Sequence, residues 1–234
     1  MSNSNEFLST FNKLERHLKQ QIDDGNHKPF YTLISILKNS NSHIRHYYLK
    51  LKEYGDLRNA IVHERIDGRV IAEPNNFAVT ELNEIYEKIT SPKKIVNISF
   101  HSVKLLSPSS KLSEALELMN KYDFSQVPIY DEKGFVAMLN SVTITNWMGT
   151  VMNGGPVDIP KTLIKEVLPH KRRSRVTLFR SRDIDVYELL EIYREYALKP
   201  ERIDGIIITH SGKRKDKPLT IVTDHDILKL VENT

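Results

Sequence analysis

The sequence contains no cysteine among its 234 residues. Disulfide bonds, thiolate nucleophiles, cysteine-based zinc sites and iron–sulfur clusters are therefore excluded, and any chemistry must come from His, Arg, Lys, carboxylate or hydroxyl groups. The chain also lacks an apolar run of about 20 residues, and its start has neither the basic end nor the apolar stretch of a signal peptide. These absences predict a soluble, cytoplasmic protein without membrane spans.

Composition and length favour two globular domains. Hydrophobic residues make up 39% of the chain and charged residues 27%, which is too rich in core-forming side chains for a disordered protein. At about 100–200 residues per domain, the chain is long enough for two small domains that each bury a core.

The net charge of +4 is unevenly distributed. Residues 1–91 carry 12 basic and 12 acidic side chains, so the basic surplus of 22 against 18 belongs to residues 92–234. Much of it lies in one stretch, made up of His170, Lys171, Arg172, Arg173 and Arg175, with Arg180 and Arg182 after it. Such a stretch is either a solvated linker or an anion-binding segment, and both interpretations stay open.

The first 90 residues have the apolar spacing of amphipathic helices. Apolar side chains three or four positions apart are Phe7, Phe11, Leu14, Leu18 and Ile22, and then Leu33, Ile36 and Leu37. A long third helix is predicted from about Ser42 to Arg65, with Gly55 as a kink or a break. A fourth is predicted from Glu81 to Ile89, capped by Thr80 or a neighbour. Residues 1–91 are thus predicted to form an all-α bundle.

The remainder of the chain contains a weak internal repeat. Helix, strand, turn, strand and helix follow one another at residues 113–119, 126–130, 131–134, 135–139 and up to 147, and again at 186–193, 205–209, 219–222 and 226–230. The offset grows from 73 residues (Leu116 to Leu189) to 83 (Met138 to Ile221), which places insertions near Pro200 and in the turn 213–217. The fold class is therefore predicted to be α+β, with copies at about residues 93–160 and 161–234 after the bundle.

Three segments carry a family resemblance. They read LSEALELM at 112–119, QVPIYD at 126–131 and LTIVTDHDIL at 219–228. With them, residues 92–234 resemble a pair of CBS domains, the β-α-β-β-α module named after cystathionine β-synthase. The resemblance implies two copies that pack through their sheets and enclose two nucleotide clefts.

The second copy matches the adenosine-binding pattern of that family, in which a strand ends in Thr or Ser and an Asp follows three residues later. Thr223 and Asp226 occupy these positions. A hydroxyl and the open N–H groups of a helix start suit a phosphate, and a carboxylate can accept bonds from both ribose hydroxyls. The implied cleft also contains Val176, Thr177, Ile203, Asp204, Gly205, Asp224 and His225. Thr-x-x-Asp is also an ordinary helix start, so capping alone remains an alternative.

The first copy departs from the pattern. Asn140 stands where the second copy has Thr223, and Thr143 stands where it has Asp226, so the ribose carboxylate is missing. This cleft is either empty or a weaker site built from Gln126, Val127, Pro128, Asn140 and Thr143. One functional cleft is therefore the favoured interpretation.

The arginines that precede the second copy are candidate phosphate ligands. Arg172, Arg173 and Arg175 would favour ADP, ATP or a dinucleotide over adenosine. AMP, ADP, ATP or a dinucleotide is thus the predicted regulatory ligand, and no cofactor is required.

The helical half contains a second motif. Residues 57–63 read LRNAIVH, so Asn59 and His63 share one face of a helix and Arg58 lies one step around it. An imidazole can relay a proton to or from a ribose oxygen while a guanidinium stabilises the phosphorane charge, which is sufficient for RNA cleavage without a metal.

This motif is similar to the Arg-x4-His motif of HEPN domains, small helical bundles of which many are metal-independent ribonucleases. The resemblance implies Arg58, Asn59 and His63 as catalytic residues and a composite site between two chains. Inactive HEPN domains that dimerise or dock a partner are the alternative. His43 and His46 lack a third ligand, so no metal site is predicted.

Taken together, the sequence predicts an adenine-nucleotide sensor joined to a HEPN-like bundle. The bundle either cleaves RNA under the control of the nucleotide or serves as a non-enzymatic adaptor that dimerises or docks a partner. A homodimer is expected on either interpretation, and RNA is a candidate partner.

Overall fold

The computed structural model describes residues 2–22, 28–63, 65–66, 69–70, 72–98, 103–154 and 156–232. The chain forms two compact units, Met1–Lys93 and Lys94–Thr234. Each unit has its own hydrophobic core. No helix in the described part of the chain is long and apolar enough to cross a lipid bilayer.

The N-terminal unit is a helical bundle, as its apolar spacing predicts. Its helices are α1 Asn3–Gln21, α2 Phe30–Leu37, α3 Ser42–His63 and α4 Asn76–Thr90. Two short strands, β1 Arg65–Ile66 and β2 Arg69–Val70, pair antiparallel between α3 and α4. α1 packs against α4, and α2 packs against α3. Fully or almost fully buried residues at the centre include Phe7, Phe11, Leu14, Leu18, Leu33, Ile44, Leu51 and Leu82.

Three details of the bundle differ from expectation. α3 runs without a break through Gly55, where a Cβ atom would lie 3.0–3.1 Å from the ring of Tyr31, so the glycine allows a close helix contact. α4 starts at Asn76 because the side chain of Asn75 accepts a hydrogen bond from the N–H of Ala78 at 2.8 Å. Ile36 is 42% exposed and lies outside the core.

The C-terminal unit contains two copies of the predicted order of elements. In the first copy these are α5 Leu112–Tyr122, β3 Gln126–Asp131, β4 Gly134–Asn140 and α6 Ser141–Val151. The helix α7 Ile164–Val167 follows, and the second copy contains β5 Arg175–Ser181, α8 Val186–Ala197, β6 Arg202–Thr209, β7 Pro218–Val222 and α9 Asp224–Glu232. Short 3-10 turns lie at Ile95–Asn97, Met152–Gly154 and Leu168–His170. β3 pairs antiparallel with β4, β5 parallel with β6, and β6 antiparallel with β7.

The two copies exchange their leading segments. The N–H of Ile95 donates to the carbonyl of Ile184 at 3.1 Å, and its side chain is fully buried in the core of the second copy. In the same way, the N–H of Leu112 donates to the carbonyl of Thr162 at 2.9 Å, and Ile164 is fully buried in the core of the first copy. Each copy is therefore completed by a few residues from the sequence range assigned to the other.

The inserted turn 213–217 joins the copies on another side. The N–H of Phe135 donates to the carbonyl of Arg214 at 3.0 Å. The guanidinium of Arg214 lies 5.3 Å from the ring centre of Phe135 and 5.8 Å from that of Phe179. The insertion therefore contributes a backbone hydrogen bond and one cation–π contact, to Phe135, between the copies, and a second cation–π contact, to Phe179, within the second copy.

Replacing Gly134 by alanine is expected to disrupt this junction. Gly134 has φ +115°, and an added Cβ would lie 2.6 Å from Cα of Lys215 and 2.7 Å from the carbonyl oxygen of Arg214. Since both atoms belong to the backbone, we expect a loss of about 2–4 kcal/mol in the free energy of unfolding. Urea unfolding measures the loss.

The matched control for Gly134→Ala is Gly149→Ala. Gly149 lies inside α6 with nothing within 4 Å of an added Cβ. Its replacement is expected to leave stability unchanged or to raise it by about 0.5–1 kcal/mol. Equal stabilities of the two variants would show that a methyl group at position 134 does not clash with the turn 213–217.

Candidate functional site

The Thr223–Asp226 pair lies where β7 ends and α9 begins. One carboxylate oxygen of Asp226 accepts hydrogen bonds from the backbone N–H of Thr223 at 2.9 Å and from its hydroxyl at 2.8 Å. This arrangement is the carboxylate half of a capping box. Both residues are partly exposed. The pair therefore caps α9 and also presents a carboxylate and a hydroxyl to solvent at a helix N-terminus, where unpaired N–H groups favour anions.

The neighbours of this pair are arranged along the first turn of α9. Asp224 and His225 are exposed, and the carboxylate of Asp224 accepts from the N–H of His225 at 3.0 Å. Behind them, the hydroxyl of Tyr193 donates to the carbonyl of Val222 at 3.0 Å. Burial and the charges of Asp224 and Asp226 raise the pKa of Tyr193, so its hydroxyl remains a neutral donor. Sequence reasoning missed Tyr193 because it occupies an ordinary core position of an amphipathic helix.

Asp204 lies against the first copy. The side-chain amide of Asn140 donates to one of its carboxylate oxygens at 2.9 Å, and the guanidinium of Arg175 pairs with the same oxygen at 3.3 Å. The Asp204 side chain is 8% exposed. No hydrogen bond or ion pair within the described part of the chain joins it to Thr223 or Asp226. The Asp204 carboxylate is therefore engaged by Asn140 across the copies, and its place in a nucleotide cleft with Thr223 and Asp226 stays a prediction.

Gly205 lies at a close approach between the two copies. A Cβ atom there would lie 3.2 Å from Ile221 and 3.3 Å from the side-chain nitrogen of Gln126. That nitrogen donates to the carbonyl of Asp204 at 2.5 Å. In the two hairpins Val127 pairs with Leu139 and Ile206 with Val222, so Gln126 and Gly205 are equivalent positions that face each other. The glycine makes room for the glutamine, and both residues are used in the contact between the copies.

In the first copy, the start of α6 is capped by Asn140 through hydrogen bonds from Thr143. The side-chain oxygen of Asn140 accepts from the N–H of Thr143 at 2.8 Å and from its hydroxyl at 2.9 Å. Thr143 is 1% exposed and Asn140 7%. Their polar groups are thus satisfied internally, in contrast to the partly exposed Thr223 and Asp226.

Four further residues named from the resemblance occupy strands of the sheet. Val127 is 1% exposed and belongs to the core of the first copy, and its place in a second cleft stays a prediction. Pro128 is buried, and its carbonyl accepts from the N–H of Leu106 at 3.4 Å. Val176 pairs with Ile203, and Thr177 pairs with Gly205 across a register shift.

The arginines before β5 are not equivalent. Arg175 is paired with Asp204, whereas Arg172 and Arg173 are exposed in the turn that leads into β5. Arg175 is therefore already paired with a carboxylate of the protein. Of the three arginines, Arg172 and Arg173 are the more accessible to the phosphate of a ligand.

The Asp204 carboxyl is expected to give a pH-dependent stability. Burial raises its pKa above the ordinary 3.8, although the nearby Arg175 guanidinium and the Asn140 amide oppose the shift. The folded protein thus holds this proton more tightly than the unfolded chain, so the contribution of Asp204 is lost as the pH rises from 3.8 through the folded pKa. We expect the free energy of unfolding, taken relative to that of Asp204→Asn, to fall over this range.

Urea unfolding of the two proteins from about pH 4 to 7 tests this expectation. Asparagine is the suitable reference because it keeps an oxygen that accepts from Asn140 and does not titrate. A difference that rose with pH would mean that the Arg175 guanidinium outweighs burial.

The motif residues of the helical unit belong to a chain of hydrogen bonds. The guanidinium of Arg58 donates to the side-chain oxygen of Asn59 at 3.2 Å, and the Asn59 amide donates to the hydroxyl of Tyr31 at 3.3 Å. That hydroxyl donates to the carboxylate of Asp56 at 2.6 Å. Burial and the Asp56 carboxylate raise the pKa of Tyr31 to about 12. The polar groups at this end of α3 are thus connected, with Tyr31 at the centre.

His63 is the last residue of α3, and its side chain lies outside the described part of the structure. Tyr31 and Asp56 were not singled out from the sequence. Asp56 stands two residues before Arg58, but Tyr31 is 27 residues away, and local spacing gives no signal for it. Within the described ranges, no group of three His, Asp or Glu side chains could hold a metal ion.

Comparison with known proteins supports one of the two resemblances. Residues 96–149 match the family model of the CBS domain, which confirms that prediction for this segment. With the same order of elements repeated in residues 163–232, the C-terminal unit has a CBS-type fold. No curated protein matches the sequence.

Several solved structures are similar to this chain over part of its length. The CBS domain of a membrane protein from Sphaerobacter thermophilus is 17% identical, with a TM-score of 0.45 over 66% of this chain and 98% of that one. The acetoin utilization protein AcuB from Vibrio cholerae is 16% identical, with a TM-score of 0.43 over 61% and 92%. A CBS domain pair crystallised with 5′-methylthioadenosine and S-adenosyl-L-methionine is 19% identical, with a TM-score of 0.42 over 61% and 98%.

Proposed function

We propose that the C-terminal unit, with its CBS domain at residues 96–149, binds an adenosine-containing nucleotide at the start of α9. The observation that carries this proposal is the partly exposed Thr223–Asp226 pair, with a carboxylate and a hydroxyl 2.8 Å apart. The carboxylate accepts from the ribose hydroxyls, and the N–H groups of the helix start face the phosphate. Asp224 and His225 flank the ligand from the first turn.

The first copy is not expected to bind a second nucleotide with similar affinity. Asn140 and Thr143 are buried, and the Thr143 hydroxyl donates a hydrogen bond to the Asn140 side chain. The Asn140 amide in turn donates a hydrogen bond to the Asp204 carboxylate. A ligand at this position would have to break these contacts without a carboxylate from position 143. The proposed stoichiometry is therefore one nucleotide per chain.

Arg172 and Arg173 are the proposed phosphate ligands. They are exposed, and Arg175 is engaged by Asp204. If they contact phosphates, affinity increases from adenosine to AMP, ADP and ATP and falls with ionic strength.

Isothermal titration calorimetry of the full chain tests this function. Adenosine, AMP, ADP, ATP and diadenosine tetraphosphate are titrated beside GMP and GTP as base controls. Saturable binding of at least one adenine compound at one per chain supports the proposal. Absence of binding by all adenine compounds, or equal binding of the guanine compounds, overturns it.

The proposed physiological role is regulatory. A nucleotide changes the state of the helical unit only if it binds one state of the chain more tightly than another, and by no more than that difference. The helical unit is then the effector, and it either cleaves RNA or docks a partner. Homodimerisation is part of the proposal, and light scattering with and without nucleotide measures it.

A ribonuclease activity is the second candidate function. The observation that favours it is the hydrogen-bonded chain of Arg58, Asn59 and Asp56 on α3 with Tyr31 on α2, within the last two turns before His63. Arg58 and His63, five residues apart in the sequence, supply a guanidinium and an imidazole, the groups needed for metal-independent cleavage. The competing role is an adaptor in which the same polar groups stabilise a dimer or a docked protein.

A further inference from the structure

A pocket of about 360 Å³ lies at one end of the second copy's sheet. Its volume is within the range of small-molecule sites, about 300–1,000 Å³. It is lined by Val96, Asn97, Ile98, Arg182, Leu219 and Thr220. Three of these side chains are aliphatic and three carry polar groups, so the pocket can hold a molecule with both kinds of surface.

The pocket is separate from the proposed nucleotide site. Thr220 pairs directly with Ile208 across the antiparallel strands, so their side chains project from the same face of the sheet. Ile208 belongs to the core beneath the helices. Gly205 and Ile221 alternate with these residues and face the first copy, where Gly205 approaches Gln126. Thr220 and Gly205 therefore lie on opposite faces of the sheet, and the residues that line the pocket include none of those proposed to bind the nucleotide.

Thr220 is the unexplained polar group in this pocket. It is 5% exposed, and its hydroxyl has no hydrogen-bond partner in the described part of the chain. Buried Thr209 on the neighbouring strand, in contrast, donates to the carboxylate of Asp216 at 3.4 Å. A buried hydroxyl without a partner is costly and calls for a reason.

The fold itself does not require a hydroxyl at this position. By the offset of 83 residues, the first copy has Ala137 where the second has Thr220, and Ala137 is also 5% exposed. The hydroxyl is therefore an addition specific to the second copy. A ligand that accepts a hydrogen bond would give it a partner.

The charge at the mouth of the pocket indicates which acceptor fits. Arg182 follows β5 and is exposed, and within the described residues it makes no ion pair. Val96, Ile98 and the half-exposed Leu219 form the apolar wall. A guanidinium, a hydroxyl and an aliphatic wall together suit an anion with an apolar body.

We propose that this pocket binds a small carboxylate with an apolar chain or ring. The carboxylate pairs with the guanidinium of Arg182 and accepts a hydrogen bond from the hydroxyl of Thr220. The apolar part lies against Ile98 and Leu219. This site is independent of the nucleotide site, and its test does not depend on nucleotide binding.

The test uses hexanoate and phenylacetate as probes in nuclear magnetic resonance titrations of the full chain. Saturable shifts of the Ile98 and Leu219 methyl signals and of the Thr220 amide signal are expected, with hexanol as the uncharged control. Arg182→Gln is expected to weaken hexanoate binding by about tenfold or more, because a charged hydrogen bond is lost. Arg202→Gln, which removes an exposed arginine outside the pocket, is expected to bind as the wild type does.

Thr220→Val separates a binding role from a structural one. Valine has nearly the same shape and no hydroxyl, so the urea midpoint is expected to stay the same or to rise while hexanoate binds about fivefold more weakly. Absence of saturable shifts up to about 10 mM of either probe would overturn the proposal. So would equal binding by Arg182→Gln and Arg202→Gln, or shifts centred on Thr223 and Asp226 instead.

Discussion

Replacing Asp226 by alanine is expected to reduce the affinity of the chain for its adenine nucleotide by about a hundredfold or more, because two charge-assisted hydrogen bonds to the ribose are lost together. The carboxylate is partly exposed and is already oriented by Thr223, so little rearrangement is needed for a ribose to reach it. Calorimetry with AMP, ADP and ATP measures the change. Undiminished affinity for all three would remove Asp226 from the site.

The difficulty of this experiment is that Asp226 also caps α9. A matched control is Glu188→Ala, since the Glu188 carboxylate accepts from the N–H of Asp185 at 3.0 Å and closes the start of α8 in the same way. Each variant should lose about 1 kcal/mol of stability. Only Asp226→Ala should lose the nucleotide. Equal losses of binding in both variants would mean that the capping, and not a ribose contact, is what matters.

The sequence predicted the order of elements in the C-terminal unit because the hydrophobic period changes clearly between strand and helix. It also singled out Thr223 and Asp226 at a helix start, and the hydrogen bonds between them follow from a spacing of three residues within one local motif. The contact of Asp204 with Asn140 could not be predicted in this way. Those two residues are 64 positions apart, and their meeting depends on how the two sheets face each other.

The exchange of leading segments has a similar explanation. Ile95 and Ile164 are ordinary apolar residues before a helix, and nothing local indicates that each belongs to the core of the other copy. These contacts form only when both copies are folded, because each leading segment hydrogen-bonds to the loop that precedes a helix of the other copy. Repeats in a sequence therefore predict the content of each copy better than its boundaries.

The start of α4 also could not be predicted from local sequence alone. Thr80 was the expected cap of α4, but the helix begins five residues earlier, where Asn75 accepts from the N–H of Ala78. Both residue types are good caps, and Phe77 is 70% exposed, so the hydrophobic pattern is weak over this first turn. Tertiary context decides between two adequate local signals.

His63→Ala carries the second large expected effect, on RNA cleavage. If the helical unit is a ribonuclease, loss of the imidazole removes the proton relay, and cleavage is expected to fall by about a hundredfold or more. Purified full-length protein is incubated with single-stranded and structured RNA, with and without ATP and in the presence of EDTA. Cleavage by the wild type should persist in EDTA, and Arg58→Ala should lose activity to a similar degree.

The control for this experiment is Arg16→Ala combined with His17→Ala on α1, which removes the same two residue types from the same unit outside the motif. This variant should cleave as the wild type does. Equal cleavage by wild type and His63→Ala would indicate a contaminating nuclease and reject Arg58 and His63 as catalysts. Absence of cleavage by every protein under all conditions would leave the adaptor as the role of the helical unit. In that case, the hydrogen-bond chain through Tyr31 would act in a dimer or a docked complex, and Arg58→Ala should weaken that association instead.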